Sequence, residues 1–321
     1  MTDRPLRIGV VGAGHMGRLH AHKLAALRAA GLGVELQGIV DVHPERAHSL
    51  ALETGSRAFS SVRKLYAEVD AVVVAAPTIH HFELVRSALE AGLDVLVEKP
   101  IVATLPDAQT LLDMAKSGGR ILQVGHVERY NAALRRVEGL IKRPRFIEAH
   151  RIGPFPARAT DVDVVRDLMI HDLGIIQDLL GEEPVRLEAI GIPVLSQEVD
   201  IANARLHFPG GCVANLTASR VSPTAMRRLR LFQRDGYFSI DFLAQSVAVF
   251  RRVDDAQAPS PRIEMEQVDI DREDALESEQ RAFVDSVRTR RPPLVSGEDA
   301  LRALRTAVRV VEAMPPLDDL A

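Results

Sequence analysis

The sequence has little that could form a disulfide or a metal cluster. It contains one cysteine, Cys212, among 321 residues. A lone cysteine cannot close an intramolecular disulfide, and it argues against any metal cluster held by thiolates. We therefore predict no metal centre, and we expect the protein to work in the reducing cytoplasm.

Long apolar runs and an excess of one charge are also missing. No segment approaches the ~18 continuous apolar residues of a membrane-spanning helix. The short apolar stretch near the N-terminus is broken by glycines and predicts a strand, not a signal peptide. The 44 acidic and 40 basic residues nearly balance, and the formal net charge is -4. This balance predicts no binding to nucleic acid or membranes and leaves a small molecule as the expected partner.

The first 125 residues alternate short apolar runs with amphipathic ones. This rhythm is typical of strands joined by crossover helices into a parallel sheet. The strands are nearly all apolar, which suits a sheet covered by helices on both faces. The predicted strands are 6–11, 34–40, 57–59, 71–76, 95–97 and 121–124, and the predicted helices are 15–30, 44–53, 82–91 and 106–116.

After residue 125 the pattern changes to β-rich segments separated by Gly, Pro and Asp, which predicts a mostly antiparallel sheet. We predict an α/β protein with two domains, residues 1–125 and residues 126–321, the second of α+β type. Its predicted strands are 146–152, 186–192, 201–208, 213–219, 228–234, 237–242 and 247–252, with a loop at 254–261. Its predicted helices are 167–180, which ends at Gly181, 277–289 and 297–313.

Three glycines follow the first predicted strand and open the first helix. Gly12, Gly14 and Gly17 form the run G-A-G-H-M-G. In such a run the first glycine permits a tight turn, the second lets a pyrophosphate approach, and the third lets the helix pack on the strand. Free amide groups at the helix N-terminus favour the phosphate charge. An ordinary strand-to-helix turn is the alternative for this pattern taken alone.

Asp41, which ends the second predicted strand, supports dinucleotide binding. A carboxylate at that position can accept hydrogen bonds from both ribose hydroxyls of an adenosine. It would repel a 2′-phosphate, so we favour NAD over NADP, although His43 and Arg46 could accommodate extra negative charge. A cap or turn residue before Pro44 is the alternative for Asp41. Together with the glycines, this order predicts a Rossmann domain with a doubly wound parallel sheet.

Two further groups of residues could carry chemistry. Lys99 follows the fifth predicted strand in an E-K-P run, at the sheet edge where open α/β folds bind ligands. Pro100 would fix this turn and could do so with a cis bond. Asp167 and His171 lie four residues apart on a predicted helix, so both side chains project from the same face. The imidazole of His171 could accept a proton, and the carboxylate of Asp167 could orient it. The alternative for Lys99 is a surface lysine beside Glu98, and the alternative for Asp167 and His171 is an exposed polar pair.

Taken together, these motifs resemble those of the Gfo/Idh/MocA oxidoreductases, and the resemblance covers essentially the whole chain. It depends on G-A-G-H-M-G at 12–17, A-P-T-I-H-H at 76–81, E-K-P at 98–100 and D-L-M-I-H at 167–171. The resemblance implies a Rossmann domain followed by a domain built on a large open, mostly antiparallel sheet. It also implies oxidation of a hydroxyl group with a nicotinamide cofactor.

The resemblance implies a role for each matching residue. Lys99 matches the lysine between substrate and nicotinamide ribose, Asp167 and His171 match the catalytic polar pair, and His81 matches a cofactor-side histidine. We expect His171 to be the base and Lys99 an electrostatic positioner, with Lys99 as base the alternative. The implied cofactor-binding residues are Gly12, Gly14, His15, Met16, Gly17, Asp41, Ala76, Pro77, Thr78, His81, Glu98 and Lys99. The implied substrate-binding residues are Lys99, Arg129, Asn131, Arg158, Asp167 and His171.

The runs G-H-V-E-R-Y-N at 125–131 and R-L-H at 18–20 look most like members that act on UDP-N-acetylglucosamine as 3-dehydrogenases. Such members prepare a 3-keto sugar for amination in lipid A or other surface glycan synthesis. Arg129, Arg151 and Arg158 could bind a substrate pyrophosphate, with a structural role as the alternative. Many relatives have an acidic residue at the position of Gly174, so that one substrate contact is absent or Asp172 is used differently.

Two other functions remain open at this point. A free-sugar or cyclitol dehydrogenase would share the chemistry but lack a nucleotide subsite. A dinucleotide-sensing regulator would bind without turnover, since a fold alone never establishes activity; Lys99, Asp167 and His171 together argue against it. An exposed apolar face of the second sheet would favour a homodimer or homotetramer.

Overall fold

A computed structural model describes residues 4–155, 162–253 and 262–316. The predicted loop at 254–261 and the candidate Arg158 lie outside these residues. The chain divides into two compact units, Met1–Val127 with Asp274–Leu301, and Glu128–Glu273 with Arg302–Ala321. The predicted division into 1–125 and 126–321 therefore misses one feature, because residues 274–301 return to the first unit.

The first unit contains a six-stranded sheet in the order β3-β2-β1-β4-β5-β6. Every neighbouring pair is parallel, which is the arrangement that a doubly wound fold requires. The strands are β1 (Leu6–Val11), β2 (Val34–Val40), β3 (Arg57–Phe59), β4 (Ala71–Val74), β5 (Asp94–Glu98) and β6 (Leu122–Gly125). The Rossmann prediction is confirmed.

Helices of the first unit follow the strands in alternation. They are α1 (His15–Ala29), α2 (Pro44–Thr54), α3 (Val62–Tyr66), α4 (His81–Glu90) and α5 (Leu105–Ser117). Pro44 and Pro106 lie in the first turns of α2 and α5, where a missing amide hydrogen leaves no helical bond unmade. The five-residue α3 was not predicted, because it is too short to show a helical period.

Helix α8 (Ala275–Thr289) completes the core of the first unit although it is distant in sequence. Phe283, Val284 and Val287 pack in one hydrophobic cluster with residues of β1 and α1, such as Ile8 and Leu24. The sequence predicts this helix but not its place, because an amphipathic period indicates that a face is buried and not what covers it.

The second unit contains an eight-stranded sheet in the order β14-β13-β12-β11-β7-β10-β9-β8. All neighbouring pairs are antiparallel except β7 and β10, so the predicted mostly antiparallel sheet is confirmed. The strands are β7 (Phe146–Ile152), β8 (Arg186–Ile192), β9 (Ile201–His207), β10 (Val213–Ser219), β11 (Met226–Gln233), β12 (Gly236–Asp241), β13 (Ser246–Val253) and β14 (Arg262–Val268). The edge strand β14 was not predicted, because almost all of its residues are exposed and many are charged.

Three further α-helices lie in the described part of the chain. They are α6 (Ala132–Val137) and α7 (Ile170–Leu180) in the second unit, and α9 (Gly297–Glu312), within which the division between the units falls. A π-helical turn, Val165–Met169, immediately precedes α7. Helix α7 ends at Gly181 with φ 66°, the left-handed cap that the sequence predicts. No helix among the described residues is long and apolar enough to cross a membrane.

We predict that Phe283→Ala destabilises the first unit, because Phe283 is fully buried in its core. The expected loss is about 3–5 kcal/mol in the free energy of unfolding. Urea denaturation followed by circular dichroism measures it. Leu52→Ala is the matched control, since Leu52 on α2 is 71% exposed and should change stability by less than about 0.5 kcal/mol. Equal effects of the two variants would contradict the place of α8 in this core.

Candidate functional site

The turn between β1 and α1 requires glycine at two positions. Gly12 has φ +98°, and a Cβ on it would lie 2.6 Å from the carbonyl oxygen of Ala75. A Cβ on Gly17 would lie 1.8 Å from the carbonyl oxygen of Gly12. Neither backbone oxygen can move freely. Gly12 therefore lets the turn lie against Ala75, and Gly17 lets α1 approach the turn closely.

Gly14 is different, because its surroundings are open. A Cβ on Gly14 would meet no atom within 4 Å, and Gly14 is the N-cap of α1. It has no side chain to cap the first amide groups of the helix, and His15 beside it is exposed. An anion can therefore approach the backbone here, where free N–H groups and the helix dipole favour it.

The carboxylate of Asp41 is fixed at the end of β2 by two backbone amides. Its Oδ2 accepts a hydrogen bond from the amide of Ala13 at 2.6 Å, and its Oδ1 accepts one from the amide of His43 at 2.8 Å. The first contact ties Asp41 to the glycine turn. The acidic group thus lies beside the open backbone at Gly14, as the ribose-binding acid of a dinucleotide site must.

A cavity of about 610 Å³ opens along this edge of the sheet. Val42 on its wall is 88% exposed and offers an apolar surface next to Asp41. The sequence pointed to the glycines, Asp41, His43 and Arg46, but it gave no signal for Val42 or for Ser60 and Ser61 after β3. The lining residues include Gly12, Gly14, Asp41, Val42, His43, Arg46, Ser60, Ser61, Ala76, Pro77 and His80.

These features fit an adenine dinucleotide. The open cradle at Gly14 suits its pyrophosphate, and Asp41 suits its adenosine ribose. The apolar wall can accept a flat base, as most of a nucleotide pocket is apolar with few polar groups. When bound, NAD supplies the hydride acceptor of a redox reaction.

His81 connects the loop at Ala76 with the loop at Pro100 through hydrogen bonds. Its side chain is 1% exposed, with Nε2 2.8 Å from the carbonyl oxygen of Ala76 and Nδ1 3.0 Å from that of Pro100. Burial lowers the pKa of His81, against the effect of the two carbonyl groups. The expected cofactor-side histidine is thus placed under the loop of Ala76 and Pro77, which line the cavity, while Thr78 begins a short 3-10 helix (Thr78–His80).

The E-K-P run lies at the end of β5. The peptide between Lys99 and Pro100 is cis, which is one of the two forms that a bond before proline allows. Lys99 is half-buried, whereas Glu98 is only 8% exposed. The carboxylate of Glu98 accepts a hydrogen bond from the His20 ring, with 2.7 Å between Oε1 and Nε2, and it points into the first unit. Its partner is thus a buried histidine that the sequence singled out only within the R-L-H run.

Asp167 and His171 lie at the start of α7 in the second unit. Asp167 belongs to the π-helical turn and His171 to the first turn of α7, and both are half-buried. The predicted regular helix from residue 167 is therefore wrong in its first turn. Such π-helical turns are rare and occur often at functional sites. Gly174, one turn later, lies against α9, since a Cβ on it would be 3.6 Å from that of Ala303.

The arginines suggested for a substrate pyrophosphate have carboxylate partners inside the second unit. Arg151 is 3% exposed, and its guanidinium donates to Asp172 at 3.0 and 2.8 Å and to Glu128 at 2.7 Å. These carboxylates raise the pKa of Arg151 in spite of its burial. Asp172 is thus committed to an ion pair, which favours the structural interpretation of both residues.

Arg129 and Asn131 are also engaged. Arg129 is 6% exposed and forms an ion pair with Asp178. Asn131 caps α6, because its side-chain oxygen accepts a hydrogen bond from the amide of Ala133. Its side-chain nitrogen donates to the carbonyl oxygen of Phe242 at 3.1 Å. Binding a substrate through Asn131 would require breaking these contacts, whereas Nη1 of Arg129 is buried without a hydrogen-bond partner among the described residues.

A glycine cradle at a helix N-terminus and a ribose-binding acid, on a parallel sheet of this order, define a dinucleotide-binding protein of the Rossmann class. Residues 6–126 match the model of an oxidoreductase family with an NAD-binding Rossmann fold. Residues 133–239 match the model of the GFO/IDH/MocA C-terminal domain. The chain therefore belongs to the Gfo/Idh/MocA family of NAD-binding oxidoreductases.

Relatives of known name cover almost the whole chain. The chain is 38% identical over 306 residues to UDP-N-acetylglucosamine 3-dehydrogenase of Acidithiobacillus ferrooxidans, covering 95% of this chain and 96% of that one. A solved structure of that enzyme superimposes with a TM-score of 0.90, covering 96% of this chain and 97% of that one. Myo-inositol 2-dehydrogenase of Thermotoga maritima is 27% identical, covering 93% of each chain. These relatives are dehydrogenases that act on CH–OH groups, and the chain is an enzyme of this kind.

We predict that Gly14→Ala and Gly17→Ala separate cofactor binding from folding. The methyl group of Gly14→Ala meets only open space, so stability should change by less than about 1 kcal/mol. NADH binding should weaken by about tenfold or more, because the methyl group enters the space of the pyrophosphate. Gly17→Ala should lower the melting temperature strongly, since its Cβ overlaps the Gly12 carbonyl. NADH fluorescence titration and thermal unfolding measure the two effects; full NADH affinity in Gly14→Ala would contradict the assignment.

Proposed function

We propose that the chain is an NAD-dependent dehydrogenase that oxidises the 3-hydroxyl of UDP-N-acetylglucosamine, in lipid A or other surface glycan synthesis. The observation that carries this proposal is 38% identity across 95% of the chain to an enzyme of that name. The inositol dehydrogenases are less similar over their full length, which makes a cyclitol the second candidate. The half-buried Lys99, Asp167 and His171 support turnover over a sensing role.

In the proposed reaction, three side chains of the protein act on the reacting hydroxyl. His171 takes the hydroxyl proton as the carbon is oxidised, because a neutral imidazole accepts protons near neutral pH. Asp167, four residues before it, orients the imidazole and balances its positive charge. Lys99, as an ammonium group, holds the substrate oxygen in place by charge-assisted hydrogen bonding.

The nucleotide part of the substrate requires cationic partners that are not already committed. Arg129 and Arg151 already form ion pairs with carboxylates, so we do not include them in the proposed subsite. Arg158 stays a prediction. Asn131 already caps α6, so we leave it out of the proposed subsite as well.

We predict that oxidation with NAD distinguishes the candidate substrates. UDP-N-acetylglucosamine should produce NADH, with UDP-glucose, myo-inositol and free hexoses at least about 10²-fold less effective in kcat/KM, because they lack the acetamido or nucleotide contacts. The appearance of NADH fluorescence measures each rate. A higher kcat/KM with myo-inositol would favour the cyclitol function, and no turnover with any sugar would favour a regulator.

Variants of the proposed site serve as controls for this assay. Lys99→Ala should lower kcat by about 10²–10³-fold, and His171→Ala by about 10²–10⁴-fold. Both should bind NADH nearly as the wild type does, because neither group belongs to the cradle at Gly14 or Asp41. Equal loss of turnover and of NADH binding would mean that Lys99 has been given the wrong role.

We also propose that the open face of the second sheet is covered in a homodimer or homotetramer. Four half-buried rings form a row across β7, β11, β12 and β13, with neighbouring centroids 5.7, 5.0 and 4.1 Å apart. They are Phe146, Phe232, Tyr237 and Phe250. Such a contiguous aromatic surface is typical of a protein interface.

The assembly can be tested by light scattering after gel filtration. The wild type should have at least twice the mass of 35.2 kDa for one chain. Tyr237→Lys should shift the mass to that of one chain, because a charge in the aromatic row would be buried without a partner. Arg262→Glu, on the exposed edge strand β14, is the control for an added charge change. A monomeric wild type would contradict the proposal.

We further infer a cytoplasmic location. Cys212 is a free, buried thiol, and burial raises its pKa to about 11. A thiol of this kind is unreactive at neutral pH and suits a reducing compartment.

A further inference from the structure

A buried cluster of polar side chains lies behind the Lys99 turn, within the first unit. His20 comes from α1, Glu98 from the end of β5, and Glu279 and Gln280 from α8. His20, Glu279 and Gln280 have no exposed surface, and Glu98 is 8% exposed. The mechanism above uses none of them directly, although Glu98 is the residue next to Lys99.

The hydrogen bonds of His20 fix which of its ring atoms carries a proton. The amide nitrogen of Gln280 lies 2.5 Å from Nδ1 of His20. An amide nitrogen can only donate, so Nδ1 accepts and the proton lies on Nε2. Nε2 then donates to Oε1 of Glu98 at 2.7 Å, while Oε2 of Glu98 accepts from the backbone amide of Lys99 at 3.3 Å. The carboxylate of Glu98 is thus anchored on one side and holds the Lys99 backbone on the other.

Glu279 has a different environment from Glu98. Both of its carboxyl oxygens are buried and have no hydrogen-bond partner among the described residues. One atom from each of His20, Glu98 and Glu279 lies within 4.8 Å of the other two. Two carboxylates so close in a dry environment cannot both be charged. Burial and the charge of Glu98 raise the pKa of Glu279 well above the usual range of a glutamate. Against the effect of burial, the hydrogen bond from His20 keeps the pKa of Glu98 below that range.

A metal ion is the alternative occupant for this group of side chains. Histidine and two carboxylates are ligand types that zinc accepts. However, both ring nitrogens of His20 already take part in hydrogen bonds, at 2.5 and 2.7 Å, and a ligand nitrogen must offer a lone pair to the metal. A proton on Glu279 therefore accounts for the cluster better than a metal does.

We propose that His20, Glu98 and Glu279 form a positioning unit for Lys99, in which Glu279 is a neutral acid and Glu98 is the only anion. These three side chains anchor the backbone of Lys99 and place one fixed negative charge next to it. That charge attracts the side chain of Lys99 and helps to hold it in one direction. The proposal extends the proposed function, because it matters for catalysis only if Lys99 takes part in the reaction.

The first experiment removes the anion and its anchor. Glu98→Gln should lower kcat by about tenfold or more, because Lys99 loses its neighbouring charge and the carboxylate that holds its backbone amide. His20→Ala should lower kcat in the same way. His20→Gln should restore it, because the glutamine N–H can reach the position of Nε2–H. NADH affinity should stay near that of the wild type in both His20 variants.

Two outcomes of this experiment would overturn the proposal. One is an unchanged kcat in Glu98→Gln. The other is an equal loss in His20→Ala and His20→Gln, which would show that the histidine only fills space.

The second experiment needs no substrate, so its result is independent of the proposed function. The pKa of Glu279 is higher in the folded protein than in the unfolded chain. Below pH ~4.5 the acid is protonated in both states and does not affect stability. As the pH rises above this value toward the folded pKa, the acid destabilises the folded protein progressively. Glu279→Gln removes this effect. Its melting temperature should therefore exceed that of the wild type by an amount that grows between pH 5 and pH 8. Asp285→Asn, an exposed acid on the same helix, should show no such growth.

The outcomes of the second experiment are equally distinct. A melting temperature of Glu279→Gln that falls below that of the wild type by the same amount at every pH would contradict a neutral Glu279. Stoichiometric zinc or manganese in the purified wild type, absent from Glu279→Gln by elemental analysis, would identify a metal site instead. If Lys99→Ala keeps full turnover while this stability test succeeds, the proposed role of Lys99 fails and the neutral acid stands.

Discussion

The close contact between the β1 turn and helix α1 is the constraint on which the first unit depends. With a Cβ at Gly17, the helix would meet the carbonyl oxygen of Gly12 at 1.8 Å, so only glycine allows the approach. This approach fixes where α1 begins and leaves its first amides open at Gly14. The same helix carries His20 on its buried face, in contact with Glu98. One packing contact therefore sets both the cofactor cradle and the support of the Lys99 turn.

The strands of the first unit could be predicted closely because their physical signal is local. Strands β1 and β2 begin and end where the apolar runs do, and helices begin near Pro44 and Pro106. The glycines and Asp41 could be found for the same reason, since each is tied to the end of a strand. Strand β14 gave no such signal: it is an edge strand with exposed, charged residues, and its pairing with β13 alone defines it.

The return of α8 to the first unit could not be predicted, and neither could the cluster that it completes. An amphipathic period indicates a buried face, but the partner of that face is decided by packing between segments far apart in sequence. Glu279 and Gln280 lie about 180 residues beyond Glu98 in the chain, and nothing local marks them as buried. A glutamate in a helix is ordinarily a solvated residue, so its burial appears only once α8 has been placed.

The buried charges at Arg151 and at Glu279 are balanced in opposite ways, and this difference separates structural from functional residues. In the second unit, Arg151 is balanced by two carboxylates, so the group has little left to offer a ligand. Partners of this kind make a buried ion costly to move, because breaking one pair leaves another charge without compensation. In the first unit, Glu279 has no cation, and the cluster is balanced only if a proton remains on it. Residue type alone pointed to the arginines as candidates for function, whereas the balance of partners points to the buried acid pair beside Lys99.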